Sequence, residues 1–579
     1  MDLTSLRAVL GELRAPLLPS RFEKAQQSDA HSVQLGLRRL DGLQWLELSW
    51  LAEAPRLVAI AAPRRQGDGS TLAQQLQHGL RGLALVSLGQ RGWERVVELG
   101  FASRPAEPVQ RTLLLELMGR HSNLFLLDGE RRVIALARQV RSGQSRLRPI
   151  GTGDLYQPPP ALTGEPPRRL ESQESWRRRL TLLPVPLRRA LMEVYQGIGP
   201  ALVQQLCADL EPSGAALPDQ LVTELSEAQW HGLWSHWQAW LSALEEERFA
   251  LQWGGGSAYR CWTPERRDGR DAPAGRLLIN RGLASYYGAR LAERSRDQRR
   301  RALLQRLLSA AERERRQASQ QQELLEAVPS SDGLQQRADA LLCLRAPSRD
   351  QIDEAQALYR KARKLRRSVA AITPRLELHR QRLDSLETSL TFLEQAEESL
   401  SLEALEEELE ELIGGATQER PGHRRPRRRA SGSPSGGPSG AGGAGGGTPP
   451  QPLELLSASG LLLQVGRNHR QNEWISLRQA RRGDLWFHAQ EIPGSHVVLK
   501  GSVRPPAEAD LAAAADLAAH FSRGRGNRRV PVVMVATEAL QRIPGALPGT
   551  VRHRGGTVLW GEPERARALL AQTPPPQAP

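Results

Sequence analysis

The stretch that decides the C-terminal fold reads Asp484-Leu485-Trp486-Phe487-His488 and continues, after a short loop, as Pro493-Gly494-Ser495-His496. Side chains of a β-strand point to opposite faces in turn, so Leu485 and Phe487 share one face and Trp486 and His488 share the other. A face with an indole and imidazoles can stack unpaired bases and contact ribose or phosphate. The same residues fit a second interpretation, in which Trp486 is core and the histidines satisfy buried hydrogen bonds.

The surrounding sequence places this stretch in a C-terminal α+β module at residues 453–565. Apolar patterning predicts strands near 461–465, 485–488, 496–500, 530–535 and 557–560, and an Ala-rich run predicts a helix over 507–521. We expect the RNA contacts of this module to come from a polar and aromatic set: Arg467, Asn468, Trp486, His488, Ser495 and His496.

An N-terminal α+β domain is predicted for residues 1–165. The mainly apolar stretches 43–48 and 123–127 read as strands. Asp128-Gly129 then supplies a tight turn into the apolar run 132–136, which predicts a β-hairpin.

Residues 170–285 are predicted to be a mainly helical domain that contains a helix-hairpin-helix turn. Gly197-Ile198-Gly199 is followed at once by an apolar helix. Glycine allows close backbone approach, and a helix N-terminus offers free N–H groups to a phosphate. Gly197 and Gly199 are therefore candidate nucleic-acid contacts, although a plain glycine turn between two packed helices fits the same pattern.

A long antiparallel coiled-coil arm is predicted for residues 286–414. Leu376, Leu383, Leu386, Leu390 and Leu393 are spaced 7, 3, 4 and 3 apart, which is an a/d seam. Residues 346–350 fit the tip of the arm, and Thr373-Pro374 fits a helix start or a kink. Because of these breaks, we favour an antiparallel hairpin over a parallel homodimeric coil.

Residues 415–452 are predicted to be a disordered basic linker rich in Gly, Ser and Pro. The run from Arg424 to Arg429 either contacts phosphate or simply keeps the linker solvated. The chain has 579 residues and a formal net charge of +15, and most of that excess lies beyond residue 414. Such an asymmetry is typical of a nucleic-acid contact surface, here over a background of arginine-rich codon usage.

The composition also excludes several classes. Cys207, Cys261 and Cys343 are far apart, so neither a disulfide framework nor a cysteine-based metal site is expected. The first residues lack a basic and apolar signal, and no run is long and apolar enough for a membrane helix. We expect a cytoplasmic protein with no membrane association, no cofactor, no metal and no catalytic residues.

These motifs resemble those of the NFACT family over nearly the whole chain. Residues 484–488 and 492–498 are similar to the signature of its NFACT-R domain, and 466–472 match the upstream pattern. The N-terminal zone resembles NFACT-N, with similar elements at 21–24, 55–57 and 116–123. A helix-hairpin-helix and a coiled-coil arm lie between them in the family's order.

The resemblance implies a ribosome quality control factor. Such a factor binds a large (50S) ribosomal subunit that is blocked by peptidyl-tRNA, recruits charged alanine tRNA, and directs untemplated addition of a C-terminal alanine tail. Peptide-bond formation belongs to the ribosome, so the chain itself would not be an enzyme. The implied partners are the 50S subunit, rRNA, peptidyl-tRNA and tRNA-Ala.

The resemblance also implies residue roles in the N-terminal domain. The family carries an Asp-Arg pair linked to tRNA recruitment, and this chain has Glu94 and Arg95 at the matching place. Glu94 keeps the carboxylate on a longer side chain, while a plain surface charge pair is the other interpretation. Arg120 and His121, within the 116–123 element, are candidate RNA or ribosome contacts.

Three further function classes fit parts of the sequence. A helix-hairpin-helix DNA-binding or repair protein is one, but the chain has no N-terminal proline nucleophile and no cysteine pair for a zinc finger. A surface fibronectin-binding adhesin is suggested by a label that the family often carries. A coiled-coil scaffold would leave the motifs at 484–496 unexplained.

Overall fold

The protein has a mixed α+β fold, as predicted. A computed structural model describes residues 1–64, 70–141, 143, 148–210, 217–254, 259–263, 277–326, 330–396, 399–417, 450–543 and 548–571. The chain divides into two compact units, Met1–Ala292 and Glu293–Pro579. Among the helices in the ranges just given, none is long and apolar enough to cross a membrane. Most of the predicted linker, from 418 to 449, lies outside the described residues.

The first unit is built on a nine-stranded sheet in which every neighbouring pair is antiparallel. Helix α1 (Leu3–Leu17) packs its apolar residues into the core of this sheet, and Asp2 caps its first turn. The strands, in chain order, are β1 (Ser20–Asp29), β2 (Ser32–Arg39), β3 (Gly42–Ser49), β4 (Arg56–Ile60), β5 (Ala84–Gln90), β6 (Val96–Ala102), β7 (Arg111–Glu116), β8 (Asn123–Leu127) and β9 (Val133–Leu136), with α2 (Thr71–Leu80) between β4 and β5. The predicted hairpin is confirmed, because β8 pairs with β9.

A helical region follows the sheet in the same unit. Its elements are α3 (Gln173–Leu180), α4 (Leu187–Val194), α5 (Pro200–Cys207), α6 (Glu227–Glu245) and a short pair of strands, β10 (Gln252–Trp253) and β11 (Tyr259–Arg260). Trp230, Trp237 and Trp240 recur on one face of α6 and are buried with Trp176 and Trp262. This tryptophan-rich core fixes the turn between α4 and α5 that carries Gly197 and Gly199.

Four helices run through the region of the predicted arm: α7 (Leu278–Glu326), α8 (Ser330–Leu342), α9 (Arg349–Gln395) and α10 (Ser399–Thr417). Residues of α7 pair with the later part of α9 and residues of α8 pair with its earlier part, which confirms the antiparallel arrangement. These pairs are Arg315–Glu387, Glu314–His379, Asp332–Arg366 and Arg337–Glu354. The tip also lies where the sequence predicted, because Ser348 and Gln351 form a capping box at the start of α9.

Two details of the arm differ from the sequence expectation. Helix α7 begins at Leu278 rather than near 286, and Tyr287 on it is buried in the core of the first unit. A helix start at Thr373-Pro374 is wrong, because α9 continues through Pro374. Ile372 and Leu376 are buried on either side of it, and this packing offsets the roughly 3 kcal/mol that a proline costs inside a helix.

The C-terminal module contains a six-stranded antiparallel sheet in the order β12-β13-β15-β14-β16-β19. Its elements are β12 (Leu453–Leu456), β13 (Leu462–Val465), α11 (His469–Glu473), β14 (Leu485–Ala489), β15 (Val497–Leu499), α12 (Glu508–His520), β16 (Val530–Ala536), β17 (Leu540–Arg542), β18 (Val551–His553), β19 (Thr557–Gly561) and α13 (Pro563–Ala571). The predicted strands and helix are confirmed, whereas β12, β17 and β18 were not predicted. Helix α12 covers the face that carries Phe487.

Candidate nucleic-acid interface

Glu94 and Arg95 lie in the turn between β5 and β6. Arg95 is half-buried, its Nη1 donates to the backbone oxygen of Met1 at 3.4 Å, and burial lowers its pKa while nearby Asp2 raises it. The Glu94 carboxylate accepts a hydrogen bond from the backbone of Leu162, and burial nevertheless raises its pKa. The pair is therefore held by the fold, which differs from two solvated side chains on an open surface.

The predicted helix-hairpin-helix turn packs directly beside this pair. Gly197 has a φ of +75°, and a Cβ built on it would lie 2.9 Å from the Trp93 ring and 3.0 Å from Leu3. Gly197 is thus the packing point for Trp93. Gly199 occupies the N-cap of α5 and has nothing within 4 Å of a built Cβ. Both glycines are partly exposed, so the phosphate contact expected at them stays a prediction.

Arg120 and His121 occupy a short 3₁₀ turn that follows β7. Both are exposed, and Arg120 Nε donates to His121 Nε2 at 3.1 Å. They line a cavity of about 600 Å³ together with Arg138 and Arg148. The turn is tied to the Glu94–Arg95 turn, because the N–H of Leu117 donates to the Arg95 carbonyl at 2.9 Å. All six sequence-predicted residues of the first unit therefore lie in neighbouring turns.

A buried ion pair supports this cavity. The Glu116 carboxylate is 1% exposed and accepts from both terminal nitrogens of Arg148, at 2.5 and 2.9 Å. The Tyr156 hydroxyl donates to the same carboxylate at 2.7 Å, and burial raises the pKa of Tyr156 well above its usual value. Both partners of this pair line the cavity, so the pair fixes part of its wall.

In the C-terminal module, Trp486 does not lie on an open sheet face. It is 2% exposed and packs with Val498, Val533 and Val535, because residues 474–478 and the β17–β18 hairpin cover this side of the sheet. The expected open stacking platform at Trp486 is therefore corrected, and the core interpretation describes this residue. Its ring lines one side of a cavity of about 480 Å³.

Histidines line the rest of this cavity. Ring centroids of Trp486 and His488 are stacked 5.6 Å apart, and His496 lies 5.3 Å from His488. Burial lowers the pKa of His488 to about 4 and that of His496 well below its usual value, so both rings are neutral at pH 7. His496 Nδ1 and Ser476 Oγ are 2.8 Å apart, which gives His496 the buried hydrogen bond of the second interpretation.

The remaining predicted residues of the module act as supports. Asn468 is buried and caps α11 by accepting from the Gln471 N–H at 2.8 Å. Ser495 is buried, and its hydroxyl has no partner within the described residues. Arg467 is partly exposed and holds Gln471 through its backbone N–H at 2.8 Å. Of this group, only Arg467 offers a side chain to solvent.

Several cavity residues were missed by the sequence reasoning. His469 and His553 line the cavity with Asp384 and Ser385 of α9. His469 Nε2 lies 3.0 Å from both the Ser385 carbonyl and the Ser389 hydroxyl. Glu408 of α10 accepts from the backbone N–H groups of His469 and Arg470, at 3.1 and 2.9 Å. These contacts join segments far apart in sequence, so no local pattern could predict them. The one local signal was His469, directly after the N-cap residue Asn468.

The site offers no obvious place for a metal ion. Throughout the described ranges, no group of three or more His, Cys, Asp or Glu side chains is arranged to hold one. The neutral imidazoles, an indole and the polar side chains suit hydrogen bonding to an uncharged planar group. Exposed arginines such as Arg120, at the other cavity, suit phosphate contact.

Comparison with known proteins finds relatives over nearly the whole chain. Full-length relatives include the "Rqc2 homolog RqcH" of Streptococcus suis, 25% identical over 96% of both chains, and that of Bacillus subtilis, 24% identical over 94% of both. Solved structures include the C-terminal part of the fibronectin/fibrinogen-binding protein of S. suis, 26% identical with a TM-score of 0.36 over 47% of this chain and 98% of that one. The N-terminal part of the same protein is 21% identical, with a TM-score of 0.37 over 50% of this chain and 99% of that one.

A family profile gives the decisive match. The profile of the NFACT N-terminal and middle domains matches residues 2–351 and 346–425, which is well over half of the chain. The chain therefore belongs to the NFACT family.

Proposed function

We propose that this protein is a non-catalytic factor of ribosome quality control. It binds large ribosomal subunits that carry peptidyl-tRNA, recruits charged alanine tRNA, and directs addition of an alanine tail to the stalled chain in the cytoplasm. The ribosome supplies the peptidyl transfer, so the protein contributes binding and positioning alone.

One observation carries the proposal, namely membership of the NFACT family across residues 2–425. The relatives named Rqc2 homolog RqcH, which align over 96% of the chain, support the same role. We assign tRNA contact to Glu94 and Arg95, whose neighbour Trp93 packs against Gly197 of the helix-hairpin-helix turn. The Arg120 turn extends this surface with further cations.

Tail synthesis on stalled chains tests the proposal. In cells that lack the endogenous gene and express a stalling reporter, we expect alanine extensions at reporter C-termini, detected by mass spectrometry, when this protein is supplied. Arg95→Ala should abolish them. Arg91→Ala is a matched control, because Arg91 is exposed in the same turn, and it should leave the tails intact.

Two further experiments test the role of Glu94 and the binding of ribosomal subunits. Glu94→Asp restores the residue that is usual in the family and should retain tail synthesis, whereas Glu94→Ala should reduce it. The wild-type protein should also cosediment with large subunits that carry peptidyl-tRNA. Wild-type protein that sediments free under induced stalling would refute the proposal.

A further inference from the structure

An exposed apolar strip lies on β19, the edge strand of the C-terminal sheet. Val558 and Trp560 are 46% and 60% exposed, whereas Leu559 between them packs into the core under α12. Trp560 is thus a large aromatic side chain displayed to solvent on a rigid strand. A large exposed aromatic group of this kind needs a binding explanation more than a lone surface leucine does.

Strand register joins this strip to the histidine cavity. Val558 lies opposite Val533 of β16, and Val533 lies opposite His488 of β14. Trp560 lies opposite Pro531, whose carbonyl accepts from the Gln490 N–H at 2.8 Å. Opposed residues of an antiparallel sheet share a face. The strip, His488 and Gln490 therefore form one continuous face that ends in the cavity.

The cavity and the surface around it differ in charge. The lining of the cavity includes Asp384 and Glu491 but no Lys or Arg, so a phosphate would be unfavourable inside it. Outside the cavity, Arg528 is exposed near the Trp560 end of β16, and Arg552 and Arg554 are exposed just before β19. Their side chains form no ion pair with any residue that the structure describes.

The cavity suits a planar uncharged group that forms hydrogen bonds. His488 and His496 are neutral, and Gln490 presents an amide. The indole N–H of Trp486 is buried, and no partner for it exists among the described residues. A buried donor without a partner costs about 1–3 kcal/mol. A nucleobase edge could supply the missing acceptor.

We propose that this face binds single-stranded RNA, with one base stacked on Trp560 and a neighbouring base inserted in the cavity beside His488. The backbone phosphates would lie against Arg528, Arg552 and Arg554. Exposed aromatic stacking combined with external arginines is the arrangement that fits unpaired RNA. The inference rests on the proposed function, because it names the kind of RNA that the C-terminal module contacts.

Binding of short RNA to the full-length protein tests the inference. The probe is a fluorescent 12-nucleotide unstructured RNA of mixed sequence, and its Kd is measured by anisotropy. Trp560→Ala should weaken binding by about 5- to 150-fold, the range that loss of one stacked base predicts. Trp560→Phe should keep most of the affinity. Trp253→Ala is the matched control, because Trp253 is 58% exposed in the first unit, and it should change the Kd by less than about twofold.

The cavity has its own variant. Gln490 is exposed at its mouth, so Gln490→Ala should fold normally and weaken binding by about 2- to 12-fold, as expected for one hydrogen bond. Double-stranded RNA of the same sequence should bind more weakly than the single strand. Equal Kd values for wild type and Trp560→Ala would overturn the inference.

Subunit cosedimentation separates this inference from the proposed function. If the wild type cosediments with large subunits while Trp560→Ala binds RNA normally, the inference fails and the proposed function stands. If Trp560→Ala keeps its RNA affinity but loses the subunits, the strip contacts ribosomal protein, which also overturns the inference. If the wild type does not bind subunits but Trp560→Ala loses RNA, the proposed function fails alone.

Discussion

Gly197, in the turn between α4 and α5, is a position where one added methyl group should destabilise the fold without changing any charged or polar side chain. Alanine at φ +75° costs about 1–2 kcal/mol of backbone strain. Its Cβ would also lie 2.9 Å from the Trp93 ring and 3.0 Å from Leu3, and overpacking of this kind costs about 1–3 kcal/mol. The Gly197→Ala variant should therefore lose about 2–5 kcal/mol of stability in the first unit.

The neighbouring glycine provides the control. Gly199 has a φ of −121° and nothing near a built Cβ, and it occupies the N-cap of α5. Serine is a preferred N-cap residue, so Gly199→Ser should stay within about 0.5 kcal/mol of the wild type. Both variants alter the same helix-hairpin-helix turn, but the added atoms meet Trp93 and Leu3 at position 197 and open space at position 199.

Tryptophan fluorescence during thermal unfolding measures the effect, since many tryptophans are buried in the helical core of the first unit. A loss of at least 2 kcal/mol should lower the first transition by roughly 4 °C or more. Because Trp93 adjoins Glu94, Gly197→Ala should also reduce alanine tailing although Glu94 and Arg95 are intact. Identical melting of Gly197→Ala and Gly199→Ser would refute the packing described for this turn.

Three other outcomes are expected. Arg148→Ala leaves the buried Glu116 carboxylate without its cation and should cost about 3 kcal/mol, measured by chemical denaturation against the wild type. Ser348→Ala removes the capping box at the tip of the arm and should destabilise the first turn of α9 by about 1 kcal/mol. Faster hydrogen exchange of the amides in that turn would measure the loss. Burial raises the pKa of Glu408 to about 7, so its contribution to stability is full below the unfolded value and is lost as pH rises through 7. Glu408→Gln should remove this dependence. Between pH 5 and pH 7.5, the opening free energy of the α11 amides, measured by hydrogen exchange, should fall by about 2 kcal/mol more in the wild type than in the variant.

Local patterns were sufficient for much of the fold. Apolar runs on either side of Asp128-Gly129 placed the β8–β9 hairpin, and the heptad leucines Leu386 and Leu393 are buried as the seam predicts. Residues 346–350 also form the tip of the arm as expected, and Ser348 there is the N-cap of α9. These features depend on residues close together in sequence, so the chain carries their signal directly.

The parts that sequence could not provide depend on distant segments. Alternation assigns Trp486 to a face, but it does not say that residues 474–478 and the β17–β18 hairpin cover that face. Trp560 carries the same local pattern and is exposed, because β19 lies at the sheet edge. Likewise, Gly197 fits a phosphate-binding turn in sequence, while its contact with Trp93 comes from a strand turn about a hundred residues earlier.

The hydrogen bonds that Glu408, Ser385 and Ser389 form with α11 have a consequence for synthesis of the chain. Synthesis proceeds from the N-terminus, so α9 and α10 exist before His469 is translated. The cavity takes part of its lining from α9, whose residues are made before those of β12 to β19. A fragment that starts at residue 450 would lack the carboxylate that caps α11 and the α9 side chains that line the cavity. The last module of the polypeptide thus inherits part of its binding site from the sequence that precedes it.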